Sequence, residues 1–244
     1  MNNIKFINFK RDWDELCEKK KELGDSYLLT GLADWDELFG GLRRGGVSLI
    51  AAPSGHGKTT FLLGMSKILV SKSYKVLYIG TEQTAIQLMD SVGRIDIDFV
   101  LKDEALLEDI FCDIEPNYYD VVIYDYLGAE SGANTDKSEW QEYRDQCGAL
   151  SSLAIKYNFA LLTACQADPS LLDESNPASK SSKFISYAKH IQDKLDVGIY
   201  MWKNKSVTEW CMFKNRYHEK TETKYIMYLD YENKTIKDYD IKEN

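Results

Sequence analysis

No stretch of this chain approaches the roughly 18 to 20 continuous apolar residues needed to cross a bilayer. Its first residues, MNNIKFINFKRDWDELCEKK, lack the basic, then apolar, then small pattern of a secretion signal. A soluble, cytoplasmic protein with no membrane partner is therefore expected. Cysteine is sparse and unpaired in pattern: Cys17, Cys112, Cys147, Cys165 and Cys211 show no CxxC spacing, which argues against a zinc cluster or a disulfide framework. They read as small hydrophobes in a reducing compartment. Net positive charge is also missing. At −9, the chain is not one to be coated in nucleic acid, although a local basic channel stays compatible with that balance.

What is present is material for a core. With 244 residues, 44% hydrophobic and 12% aromatic, one main α/β domain is expected. The runs GVSLIAA, YKVLYIG, DVVIYD, FALLTAC and VGIYMW are nearly continuous and β-rich, as in strands buried on both faces. Helix-period segments lie between them. From Ser138 to Tyr157, residues Trp140, Tyr143, Cys147, Leu150, Leu153, Ala154 and Tyr157 fall on one side. Alternation of this kind predicts crossover connections and a mostly parallel sheet flanked by helices. After Val197 the connections shorten, which predicts an antiparallel C-terminal edge. The final YLDYENKTIKDYDIKEN reads as a solvated last strand and tail. Ahead of the sheet, Arg11 to Leu23 offers a short amphipathic helix carrying Trp13, Leu16, Cys17 and Leu23. The expected division is a segment over 1–28 and a domain over 29–244.

Ala52-Pro53-Ser54-Gly55-His56-Gly57-Lys58-Thr59 fits a P-loop with Ala in place of the first Gly. A strand, a glycine loop and a helix N-terminus follow in the order that makes an anion cradle. Ser54, Gly55, His56, Gly57, Lys58, Thr59 and Thr60 are the expected nucleotide-binding residues. Lys58 would reach the β- and γ-phosphates of ATP and Thr59 would bind Mg²⁺, while His56 lends only its backbone. Hydrolysis further requires a metal anchor and a positioned water. Asp125 ends an apolar strand and suits Mg²⁺, or it simply begins a turn. Glu82, past a second strand, could take a proton from water, or it could cap the following helix in competition with Thr81. Gln166 ends a third strand and could hydrogen-bond a γ-phosphate.

Together these segments resemble the RecA-like ATPase core, and within it the C-terminal motor domain of DnaB-type replicative helicases. TGLADWDELFGGLRRGG is similar to that family's opening segment and IAAPSGHGKTTF to its P-loop. TEQTAIQLMDSVGRID, VVIYDYL, LLTACQ and HIQDKLDVGIYM are similar to the segments bearing its glutamate, metal aspartate, glutamine sensor and penultimate strand. FKNRYHEKT is similar to its Lys-x-Arg hairpin, and the likeness runs from about Leu29 to Asp230.

The resemblance implies a RecA-like fold and a homo-oligomeric ring, a hexamer by the family's habit, moving on single-stranded DNA in replication with a primase or loader as partner. By position it assigns Glu82, Lys58 and Gln166 to catalysis, Thr59 and Asp125 to the metal, and Lys214 and Arg216 to a neighbour's nucleotide. From spacing alone, a solvated strand end is the alternative for Lys214 and Arg216. Ser91 stands where the family usually has arginine, while Gln87 fits. Only 1–28 precedes the motor, without the family's primase-contacting domain. The expected channel loops, Gly128 to Lys137 and Ala167 to Lys183, mix Lys137, Lys180 and Lys183 with Glu130, Asp136, Asp168, Asp173 and Glu174. Such loops would grip a single strand modestly. A RecA-type recombinase, a KaiC-like ATPase and a nucleotide-binding adaptor with little turnover are the competing readings.

Overall fold

The computed structural model describes residues 7–22, 24–102, 107–128, 139–180, 183–185 and 191–238. A short helix, α1 (Trp13–Glu22), precedes a two-stranded ladder in which β1 (Tyr27–Leu28) pairs with β2 (Leu42–Arg43) around α2 (Ala33–Phe39). The central strands then arrive as their apolar runs require: β3 (Val47–Ala52), β4 (Val76–Gly80), β5 (Ile97–Leu101), β6 (Val121–Leu127) and β7 (Ala160–Gln166). Between them run α3 (Lys58–Ser71), α4 (Ala85–Val92), α5 (Leu107–Phe111) and α6 (Glu139–Tyr157). The chain closes with β8 (Val197–Asn204), β9 (Val207–Asn215), β10 (Tyr225–Asp230) and β11 (Thr235–Asp238).

Nine strands form one sheet in the order β11-β10-β9-β8-β3-β7-β6-β4-β5. From β8 to β5 every pairing is parallel, and from β8 to β11 every pairing is antiparallel. The mostly parallel sheet with an antiparallel C-terminal edge is thus present. Period-two alternation divides the core. Leu49, Tyr124 and Leu161 face one apolar layer with Leu150 and Ala154 of α6, whereas Ile50, Ile123 and Leu162 face another with Phe61, Leu62 and Met65 of α3. The α6 helix begins at Glu139; Ser138 and the side chain of Trp140 lie outside the described residues, and Cys147, Leu150, Ala154 and Tyr157 are buried as expected.

Two expectations are corrected and one strand is added. The C-terminal segment is not simply solvated: β10 and β11 form a hairpin that lies on α3, with Ile236 buried where a Cβ on Gly64 would stand only 2.5 Å from it. The Asp238 carboxylate also accepts the Ala33 N–H at 2.7 Å. So few apolar residues (Met227, Leu229, Ile236) among charged neighbours hide this contact from a composition reading. A further parallel strand, β5, lies at the other edge. Finally, α4 is capped by neither Thr81 nor Glu82. Thr84 accepts the Gln87 N–H at 3.4 Å while the Gln87 side chain accepts the Thr84 N–H at 2.8 Å, a reciprocal capping box. On α1, Trp13 is 59% exposed, and Leu23 lies outside the described residues.

Candidate nucleotide site

β3 ends at Ala52 and α3 begins at Lys58, so the loop between them turns sharply. Gly55 and Gly57 make the turn at φ +76° and +94°, a region that costs any residue with a Cβ. Gly57 is required twice over, because a Cβ there would stand 2.9 Å from the Tyr231 hydroxyl and 3.0 Å from Leu229. The parallel sheet gathers the remaining groups at the same edge. Register pairs Ala52 with Gln166 and Gly80 with Asp125, so strand C-termini deliver the glutamine, the aspartate and, two residues past β4, Glu82.

A cavity of about 330 Å³ results, lined by Ser54, Gly55, Gly57, Lys58, Thr59, Thr60, Glu82, Tyr126, Gln166 and Tyr231. Every expected nucleotide residue but His56 lines it. His56 instead accepts the Lys203 N–H on Nδ1 at 2.9 Å and so ties the loop to the end of β8. Burial lowers its pKa, and the charges of Lys58 and Lys203 lower it further, in keeping with a neutral acceptor ring.

The Lys58 ammonium donates to the carbonyls of Ala52 and Pro53 at 3.3 and 3.4 Å. Burial lowers its pKa, opposed by Cys165, Asp125 and Glu82. Asp125 is 7% exposed; Oδ2 accepts the Tyr78 hydroxyl at 2.6 Å and Oδ1 is buried with no hydrogen-bond partner. Burial pushes this carboxyl above the ordinary aspartate range; the Tyr78 and Thr59 hydroxyls and Lys58 pull it back, and Glu82 adds to the push. A buried, incompletely partnered oxygen beside a helix-terminal threonine suits a hard divalent cation whose other ligands are phosphate and water. Among the described residues no cluster of three acidic, cysteine or histidine side chains forms a complete metal cage, and Mg²⁺ beside a triphosphate needs none.

Two tyrosines at this site escaped the sequence reading. The Tyr126 hydroxyl donates to Glu82 Oε1 at 2.9 Å, and its ring lies 5.6 Å from the Lys58 ammonium. Burial and then Glu82 push its pKa up to about 12, which keeps it a protonated donor. Thr81 locks the pair from below: its N–H and hydroxyl both donate to the Asp125 carbonyl, at 2.8 and 2.9 Å, while its oxygen accepts the Tyr126 N–H at 3.1 Å. Tyr231, on the β10–β11 turn, walls the cavity beside Gly57, with Lys203 4.8 Å over its ring. The adjacency of Tyr126 to Asp125 was a usable signal; nothing in the local sequence around Tyr231 marked it.

Lys214 and Arg216 are not brought here. β9 runs antiparallel to β8, pairing Gly198 with Lys214 and Val197 with Asn215, at the edge where β3 begins rather than where it ends. Along the strand that is about 15 to 20 Å from the P-loop. Of the expected channel loops, Glu130, Asp136 and Lys137 and the Lys180 side chain lie outside the described residues. Lys183 is paired with Glu174 at 3.5 Å, and Asp168 accepts the Ser170 N–H at 2.8 Å.

The ATPase domain of G40P superposes with a TM-score of 0.73 over 97% of this chain and 100% of that one, at 13% identity. A DnaB-like replicative helicase, described with its interactions with primase, gives 0.70 over 95% and 71%, at 14% identity. This chain has a RecA-like fold. In sequence, residues 28–98 match the DnaB-like helicase C terminal domain, and beyond them the likeness to such domains is one of fold. The DNA repair protein RadA of Chlamydia pneumoniae is 32% identical over 107 residues, 42% of this chain. The chain spans about a quarter of that relative, 24% of its length. No described helix is long and apolar enough to cross a membrane.

Proposed function

We propose that this protein is an ATP-hydrolysing motor that assembles with copies of itself into a ring, six chains by the family's habit, and moves on single-stranded DNA during replication. The observation that carries the reading is the meeting of Lys58, Thr59, Glu82 and Gln166 around one cavity, with Asp125 against its floor. The loop amides and Lys58 would hold the phosphates of ATP, and Thr59 and Asp125 would hold Mg²⁺, whose charge offsets that of the phosphates. Glu82, oriented by Tyr126, would accept the proton of the attacking water, and Gln166 would contact the γ-phosphate. Lys214 and Arg216, remote from their own cavity, would serve the cavity of an adjacent chain, where the arginine fork can hold charge and geometry together. A primase or a loader is the expected protein partner, by likeness to the replicative helicases.

Hydrolysis of Mg-ATP by the purified chain should rise on adding single-stranded DNA at low salt, and E82Q should abolish turnover while keeping nucleotide binding. A rate indifferent to DNA would count against translocation. A chain whose ATP-dependent behaviour is unchanged by E82Q would instead be a nucleotide-gated adaptor, a reading favoured by the neutralising Lys183–Glu174 pair and the overall acidity. Particle images with nucleotide separate a closed ring from the filament of a recombinase.

A further inference from the structure

At the sheet edge opposite the nucleotide cavity lies a buried carboxylate that the hydrolytic machinery does not use. Asp196, 4% exposed, immediately precedes β8. Its Oδ2 accepts the Val47 N–H at 3.0 Å, which fixes it to the start of the central strand β3. Its Oδ1 forms an ion pair with Arg216 Nη1 at 3.2 Å without hydrogen-bond geometry, and Arg43 Nη1 stands 3.9 Å from Oδ2. The backbone joins in, since the Arg216 N–H donates to the Asp196 carbonyl at 2.9 Å and the guanidinium also donates to the Asp193 carbonyl.

The strand leading to Arg216 is shaped for the same end. The β8–β9 register shifts between Gly198 and Ile199, whose partners are Lys214 and Met212, so Phe213 is the extra residue of a bulge. Phe213 can lie across β8 only because residue 198 has no side chain: a Cβ there would be 2.4 Å from its ring. Beyond the bulge, Asn215 pins the turn by accepting the Tyr217 and His218 N–H groups at 3.3 and 3.2 Å, and donates to the Leu38 carbonyl at 3.2 Å. The Tyr217 ring packs against Arg43 at 4.7 Å. A bulge that re-aims a strand end, an anchored turn and a buried counter-charge together hold one 38% exposed guanidinium in a set direction.

We propose that Asp196 is a positioning residue that, with the Gly198–Phe213 bulge, presents Arg216 to the nucleotide of an adjacent chain. The inference rests on the proposed function above for the role of Arg216. Electrostatics supplies the reason for a buried acid here: two arginines share it, and without its charge the half-buried Arg43 and Arg216 are left to repel each other. Asparagine keeps an acceptor for the Val47 N–H and removes the charge, so D196N alters the aim of Arg216 with little change in volume.

The test uses the full chain and three variants, D196N, R216A and E82Q, in steady-state ATPase assays with single-stranded DNA. D196N should bind Mg-ATP as the parent does, with KM little changed, while kcat falls at least about tenfold, since misplacing a reacting group by about 1 Å costs up to about 10²-fold. An equal mixture of D196N and E82Q should exceed the mean of the two alone several-fold, because a D196N cavity then faces an E82Q chain whose arginine is correctly held. A D196N defect that mixing does not relieve is a folding defect and overturns the proposal, as does a D196N rate equal to the parent's beside a slow R216A. If R216A itself hydrolyses at the parental rate, it is the role of Arg216 in the proposed function that fails. Should D196N not fold, F213L loosens the bulge without disturbing the carboxylate and is subject to the same mixing criterion.

Discussion

Replacing Asp125 by asparagine should make this protein more stable and less active at once. In the folded chain Oδ1 is buried without a hydrogen-bond partner, so its charge is held at a cost. Asparagine removes the charge, its carbonyl can still accept the Tyr78 hydroxyl that now lies 2.6 Å from Oδ2, and its amide can donate toward Thr59. A buried, unsatisfied polar group costs about 1–3 kcal/mol, more when charged. The loss of attraction to Lys58 offsets part of this gain. D125N should therefore melt about 2–10 °C higher near neutral pH in nucleotide-free, Mg²⁺-free buffer, using about 2–4 °C per kcal/mol for a domain of this size. The pH dependence has a definite sign. Burial raises the folded carboxyl above its ordinary value of 3.8, so the folded state binds the proton more tightly than the unfolded chain. Stability from this group is intact below that ordinary value and declines as pH rises through the folded value. The advantage of D125N should thus be largest at neutral pH and shrink on acidification. Scanning calorimetry at both ends of the range reads it. A variant that melts at or below the parent at neutral pH, or that still hydrolyses ATP in a Mg²⁺-dependent manner, would refute the role given to this carboxylate.

Removing the Tyr126 hydroxyl frees Glu82 from its 2.9 Å hydrogen bond without touching the phosphate loop. Y126F should lower kcat about fivefold, about 1 kcal/mol for one partly exposed bond, with ATP affinity unchanged in equilibrium titration; an equal loss of affinity would mean that Tyr126 binds rather than orients. G57A forces a Cβ to φ +94° and onto the Tyr231 hydroxyl, and should cost about 2–3 kcal/mol in chemical denaturation together with most nucleotide binding. G55A, at φ +76° with nothing within 4 Å of its Cβ, meets the backbone strain alone and should be milder; equal losses would remove Tyr231 from the account.

Strands buried on both faces announce themselves, because β3, β4, β6, β7 and β8 are built on nearly continuous apolar runs. The edge strand β5 is quieter: Asp98 interrupts its short apolar run, and it pairs with β4 alone. Lys58, Thr59, Glu82, Asp125 and Gln166 were legible because each follows an apolar run, and a parallel sheet sends all such ends to one side. Tyr231 was not, since it reaches Gly57 only when the β10–β11 hairpin folds over α3, through Ile236 against Gly64. Asp196 likewise reads as a loop acid until β8 and β9 shift register beside it.

That division of the sheet into two edges bears directly on how the proposed motor would work. Parallel connection puts every strand C-terminus on the side of the phosphate loop, so no residue at the end of a central strand can lie at the other edge. The antiparallel β9 is the device that breaks this rule, returning the chain to the side where β3 starts and ending there in Lys214 and Arg216. Within one chain, Arg216 and Lys58 stand at opposite edges of the sheet, with the length of β3 between them. A guanidinium fixed by a buried carboxylate, a bulge and an anchored turn is a costly way to solvate a strand end. It is an economical way to offer a preset cation to a second molecule, where the order already built into the free chain need not be created on contact.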